Sequence, residues 1–141
     1  MKPRVYLDSD VIISALISQT GAAHLIIQSP QLIRYHSPSQ VQEISQVIKR
    51  LHLNPQNFSL LSRQNLKLIK LPLTTPLSQY APYTTDVFDR PIVAGAHKAK
   101  ARFLVTYNRK HYSAEALKRD LGITLLSPGQ LLQNLRNLKL N

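Results

Sequence analysis

Short apolar runs with strand character alternate along this chain with longer runs of helical period, and that alternation limits the fold more than any other feature. Residues 4–7, after Pro3, read as a short buried strand, and residues 32–36 as a second that ends at Ser37-Pro38. Residues 66–71 alternate weakly as a third, and residues 103–106 and 123–126 supply two more. Between them, residues 11–18 are apolar and helical, and Gly21 opens a short helix over about residues 22–28. Ser37, Pro38 and Gln40 occupy the N-cap, first-turn and capping-box positions of a helix running to about Leu51. Its stripe is Val41, Ile44, Val47, Ile48 and Leu51. Asn54-Pro55 repeats the start signal for a helix ending near Arg63. A further helix covers about residues 90–100, Ser113 caps another that stops before Gly122, and Ser127-Pro128 starts a last one with Leu131, Leu132, Leu135 and Leu138 inside. Strands joined by helices pair in parallel, and a parallel sheet needs both faces covered. The chain has 141 residues, enough for one such domain over residues 1–141 and too few for two. The Pro- and Thr-rich residues 73–85 read as a loop or lid.

Charge narrows the function. Eighteen Lys and Arg face seven Asp and Glu, a formal net charge of +11, with a sequence pI near 10.3. Such a balance points to a polyanionic partner: nucleic acid, an acidic protein or, less in keeping with the rest of the chain, an anionic membrane surface. The absence of cysteine excludes disulfides, thiolate zinc sites and cysteine nucleophiles, and fits a reducing cytoplasm. The apolar run at residues 11–17 is too short to span a bilayer and contains Ser14. Asp8 and Asp10 directly before it are wrong for the basic start of a signal peptide. The expectation is a soluble, cytoplasmic protein with no membrane partner.

The seven acids are Asp8, Asp10, Glu43, Asp86, Asp89, Glu115 and Asp120. Singly, several have ordinary explanations: Asp8 as a turn residue, Glu43 as a first-turn acid favoured by the helix dipole, Asp89 as an N-cap. Together they occupy the end of the first strand and the starts of two helices. Those ends face the crevice beyond the carboxyl edge of a parallel sheet. Carboxylates converging there repel one another unless a cation lies between them. Oxygen ligands without cysteine favour Mg²⁺ or Mn²⁺ over zinc. A metal site inside an otherwise basic surface suits phosphodiester hydrolysis.

The motifs in order resemble those of the PIN-domain family, in particular the PIN-domain toxins of bacterial toxin–antitoxin pairs. Val5-Tyr6-Leu7-Asp8-Ser9-Asp10-Val11-Ile12-Ile13-Ser14-Ala15-Leu16 resembles the family's first strand, Asp-Thr-Asn and apolar helix. Ser37-Pro38-Ser39-Gln40-Val41-Gln42-Glu43-Ile44 resembles the segment carrying its helical acid. Asp86-Val87-Phe88-Asp89-Arg90-Pro91-Ile92-Val93 resembles its Asp-x-x-Asp helix start, and Phe103-Leu104-Val105-Thr106-Tyr107-Asn108 its strand ending Val-Thr-Gly-Asp. Gly122-Ile123-Thr124 through Leu132 is similar to its ending.

The resemblance implies a three-layer α/β/α fold on a parallel sheet of about five strands, with a Mg²⁺- or Mn²⁺-dependent ribonuclease site. Asp8, Glu43 and Asp89 would be the metal ligands and, with Asn108, the catalytic set. Asp10, Asp86 and Thr106 would form a secondary shell of the site. The resemblance also implies RNA as substrate, a cognate antitoxin partner and a homodimer. Two positions depart from the pattern. Asn108 stands where the family often has an acid, and relatives with Asn there can carry one three residues later, at the place of His111. Asp10 stands where the family usually has Asn. The alternative is therefore a weakened or inactive PIN-like protein that binds nucleic acid or an acidic partner without cutting. Arg109, Lys110 and His111 are nucleic-acid-binding residues or solvated surface. Tyr80, Tyr83 and Tyr107 are base-stacking candidates or partly buried packing. Ser9 and Ser14 lack the Asp/His partners of a nucleophile, and His24, His36, His52 and His97 lack ligand spacing.

Overall fold

Val5, Tyr6 and Leu7 are completely buried, so strand β1 (Arg4–Leu7) is covered on both faces and central. The computed structural model describes residues 2–139, and side chains through residue 137. Strands β2 (Ile33–His36), β3 (Lys67–Leu68), β4 (Phe103–Val105) and β5 (Thr124–Leu126) complete one sheet in the order β3-β2-β1-β4-β5. Every pairing is parallel, with Tyr6 opposite Tyr35 on one side and Leu104 on the other. The reversal of direction from β1 sits between β1 and β4, where ligands bind in open parallel sheets.

Strand alternation sorts the core. Val5, Leu7, Phe103 and Val105 pack with helices α1 (Ser9–Ile17), α2 (Ala22–Gln28), α3 (Pro38–Arg50), α4 (Pro55–Asn65) and α7 (Pro128–Lys139). Tyr6, Leu104 and Leu125 point to the other face, against α5 (Arg90–Lys98), Tyr80, Tyr112 and Leu117 of the turn after α6 (Ala114–Ala116). This is the expected three-layer α/β/α arrangement with five parallel strands. Gly95 lets α5 lie against β1: a Cβ there would stand 2.7 Å from the Tyr6 ring. Arg34 is buried and, among the described residues, without a carboxylate partner. Its guanidinium instead donates to Ile26 O, Ser29 O and Asn65 O, the carbonyl ends of α2 and α4, where the helix dipoles favour a cation.

Two expectations need correction. The third strand, expected over residues 66–71, shrinks to Lys67–Leu68, an exposed edge pair; Ile69 and Leu71 turn into the second core instead. The loop or lid expected over residues 73–85 is in part a regular element. Its Leu77–Tyr83 portion is a 3₁₀ helix packed on α5, with Tyr80 7% exposed and its hydroxyl 2.9 Å from His97 Nδ1. Pro76 and Pro82 discourage an α-helix there but fit a short 3₁₀ turn. The helix capped by Ser113 is α6, continued as a π turn (Leu117–Leu121) that closes on Gly122 at φ +67°. In α7, Leu131 and Leu135 are buried and Leu132 half-buried; the Leu138 side chain lies outside the described residues. Among the described residues no single helix is long and apolar enough to cross a membrane.

Candidate metal centre

Strand β1 ends at Leu7, and the next residue, Asp8, caps α1 at the carboxyl edge of the sheet. Its N–H donates to Val105 O of β4 at 3.0 Å, which pins it beside the end of the neighbouring strand. Asp8 Oδ1 accepts from the Ser9 N–H at 2.7 Å. Its Oδ2 accepts from the Thr106 hydroxyl at 2.9 Å and the Tyr112 hydroxyl at 2.8 Å. The carboxylate is therefore held by donors from three chain segments and is 9% exposed.

Asp10 follows in the first turn of α1 and leans toward the same hydroxyl. Its Oδ2 accepts from the Tyr107 N–H at 3.1 Å and from Thr106 Oγ1 at 3.3 Å. One hydroxyl proton thus serves two carboxylates. Asp10 Oδ1 is buried and, among the described residues, without a hydrogen-bond partner. Burial, and then the charge of Asp8, push the Asp10 carboxyl up to about 7.

Asp89 and Asp86 approach from the far side. Asp86 Oδ1 accepts from the Phe88 N–H at 2.9 Å and caps the short 3₁₀ turn Val87–Asp89. Asp89 stands at the start of α5 but makes no capping bond to it, so its carboxylate is not spent as the N-cap that its position allowed. Burial, then Asp8, then Asp86 push Asp89 up to about 6, against a smaller opposing pull from His111. His111 Nδ1 lies 3.5 Å from Asp89 Oδ2. Glu43 is exposed, one turn into α3, and joins the site through Ser9, whose hydroxyl donates to Glu43 Oε2 at 2.9 Å.

Asp8, Asp10 and Asp89 therefore share one electrostatic basin. The ligand atoms of Asp86, Asp89 and His111 close to within 4.8 Å of one another. Asp8, Glu43 and Asp89 do not close as tightly. Asn108 is exposed; its N–H donates to Thr106 Oγ1 at 3.0 Å, and its amide makes no capping bond. Arg109 and Lys110 are exposed beside it, with Arg109 bonded to Gln130 Oε1 at 3.1 Å.

Crowded, desolvated carboxylates with an orphaned buried oxygen suit a divalent cation, and the donors, mostly oxygen, suit Mg²⁺ or Mn²⁺. Three participants escaped the sequence reading. Tyr112 donates to Asp8 only because residues 84 and 112 pair in an isolated bridge. Ser9, weighed only as a nucleophile, links Asp8 to Glu43. Phe88, 84% exposed between Asp86 and Asp89, carried a signal that could have found it: a large aromatic flanked by two acids.

The family model for the PIN domain matches residues 4–110. A solved structure described as VapBC2 from Rickettsia felis bound to a DNA fragment from their promoter is similar in fold. Its TM-score is 0.56 at 19% identity, covering 88% of this chain and 98% of that one. No curated protein matches the sequence.

Proposed function

The chain belongs to the PIN-domain family, and on that premise we propose that it is a Mg²⁺- or Mn²⁺-dependent endoribonuclease, the toxin component of a toxin–antitoxin pair. The observation that carries the proposal is the convergence of Asp10 and Asp89 on Asp8, with burial first and the Asp8 charge next raising the proton affinity of both, on a chain of net charge +11.

Asp8, Glu43 and Asp89 would hold the ion, supported by Asp10 and Asp86. When bound, the ion supplies positive charge that promotes hydrolysis and offsets the charge building on the phosphodiester. The chain's own groups supply the positioning. Thr106 and Tyr112 orient the Asp8 carboxylate. The side-chain amide of Asn108, without a hydrogen bond among the described residues, would hold a water or a phosphate oxygen. Arg109 and Lys110 provide cations for the backbone. Phe88 and Tyr107, 84% and 48% exposed, flank the site as platforms on which unpaired bases stack, which favours a single-stranded RNA over a duplex. The cysteine-free composition fits work in a reducing cytoplasm. An acidic antitoxin would complement the basic surface, and a homodimer would follow the family habit.

A second reading, binding of nucleic acid or an acidic protein without cleavage, is favoured by Asn108, which brings no charge to the site. Cleavage of RNA by wild-type protein and Asp8→Ala, with Mg²⁺ or Mn²⁺, separates the two. Activity lost in Asp8→Ala supports the nuclease. Equal activity in both marks a contaminant and sinks it. Binding of RNA by both proteins with no cleavage and no heat from Mn²⁺ selects the second reading.

A further inference from the structure

The chain has few carboxylates left to complete a metal site. Glu115 and Asp120 are engaged with Arg119, away from the crevice. Asn108 contributes no charge. The third donor within reach of Asp86 and Asp89 is an imidazole. The ligand atoms of Asp86, Asp89 and His111 lie within 4.8 Å of one another. Two donors bound to one ion at about 2.1 Å are separated by about 3 Å at right angles and about 4 Å when opposed, so side-chain shifts of under about 1 Å would bring all three onto a shared ion.

This approach is built in by the backbone. The Thr85 N–H donates to His111 O at 2.8 Å, and the Thr84 hydroxyl donates to the same oxygen at 2.9 Å. Thr84 also pairs with Tyr112 in an antiparallel bridge. The segment carrying His111 is thereby clamped to the segment leading into Asp86. The side chains remain available. Asp89 makes no capping bond, and Asp86 uses one oxygen, Oδ1, for its cap. The His111–Asp89 separation of 3.5 Å exceeds the roughly 2.7–2.9 Å of a close charge-assisted pair. It leaves the ring nitrogen aimed at the carboxylate without engaging it tightly.

We propose that His111, beside Asp86, joins Asp89 as a ligand of the metal ion of that nuclease site, and that its nitrogen makes the site prefer Mn²⁺ to Mg²⁺. This rests on the metal-dependent reading above. Magnesium takes oxygen donors almost exclusively, while first-row transition ions gain from imidazole.

The test uses the full chain, as wild type, His111→Ala and His111→Asp, with Mn²⁺ and Mg²⁺ as probes. Calorimetry gives both affinities, pulsed electron paramagnetic resonance reads imidazole nitrogen coupled to Mn²⁺, and circular dichroism confirms folding. Wild type should show the nitrogen coupling, and His111→Ala should lose it. Mn²⁺ affinity should fall about tenfold or more in His111→Ala, with Mg²⁺ affinity nearly unchanged. His111→Asp should restore binding of both ions without the coupling. Mn²⁺ bound with no nitrogen coupling, equal losses for both ions, or no Mn²⁺ binding by wild type would each overturn the proposal. RNA cleavage abolished by Asp8→Ala, in a protein lacking nitrogen coupling, would end the proposal and leave the nuclease reading standing. Nitrogen-coupled Mn²⁺ in a protein that never cleaves RNA would keep the proposal and end that reading.

Discussion

Asp10→Asn should stabilise the metal-free protein at alkaline pH while weakening its hold on a divalent ion. The carboxyl is pushed from its ordinary 3.8 to about 7, first by burial and then by Asp8. Its folded value lies above its unfolded one. Its contribution to stability is therefore complete below about pH 4 and lost as pH rises through about 7. Each pH unit of displacement is worth about 1.4 kcal/mol, so the full penalty is ~4 kcal/mol. Asp10 is only half-buried, and solvent screening reduces this to about 1–2 kcal/mol. Asparagine removes the charge and keeps an oxygen to accept from the Tyr107 N–H and the Thr106 hydroxyl. Its amide group can occupy the place of the orphaned Oδ1. For a chain of this size the gain is roughly 2–8 °C in Tm at pH 8, shrinking toward zero at pH 4. Calorimetric melts in EDTA at the two pH values read it directly, and the same melts with Mn²⁺ should show a smaller metal-induced rise for Asp10→Asn than for wild type. A loss of Tm at pH 8, or an equal gain at both pH values, would refute the reasoning.

Three other substitutions probe the frame and the site. Gly95→Ala drives a Cβ to 2.7 Å from the buried Tyr6 ring, whose hydroxyl donates to Gln40 Oε1 at 2.6 Å. Overpacking of about 1–3 kcal/mol exceeds the helix-propensity gain of about 1 kcal/mol, so the urea midpoint should fall, and an unchanged midpoint would contradict the contact. Arg34→Met removes the guanidinium donor of the Ser29 and Asn65 carbonyls, and one of two donors of Ile26 O, which keeps the Ser29 N–H, and should cost about 2–4 kcal/mol in urea unfolding; a neutral result would mean that water replaces the guanidinium. Phe88→Ala, at an exposed position, should leave Tm unchanged. Measured by fluorescence anisotropy in an Asp8→Ala background, it should weaken single-stranded RNA binding by about 1–3 kcal/mol, and equal affinity would remove Phe88 from the interface.

The layered fold was legible because its signals are local. Strand and helix periods, the Ser37-Pro38-Gln40 start of α3 and the Asn54-Pro55 start of α4 are written within a few residues. The Asn54 side chain indeed accepts from the Gln56 N–H at 3.0 Å. The 3₁₀ helix Leu77–Tyr83 escaped because it has neither period, and its order comes from Tyr80 packing on α5. Edge strand β3 is short because β2 ends at His36, whose carbonyl accepts the last ladder bond from the Ile69 N–H at 2.8 Å.

By itself, the sequence determined where the acids stand along the elements: after β1, one turn into α3, and before α5. Spacing and capping are short-range, and a parallel sheet sends those ends to one edge. Only the tertiary structure decided how the acids are used. It put Thr106 between Asp8 and Asp10, brought Tyr112 to Asp8, and clamped His111 against Asp86 and Asp89 through a bridge between residues 84 and 112. Those relations join groups up to 104 residues apart. They depend on desolvation and on distances of a few ångströms, which no periodicity records.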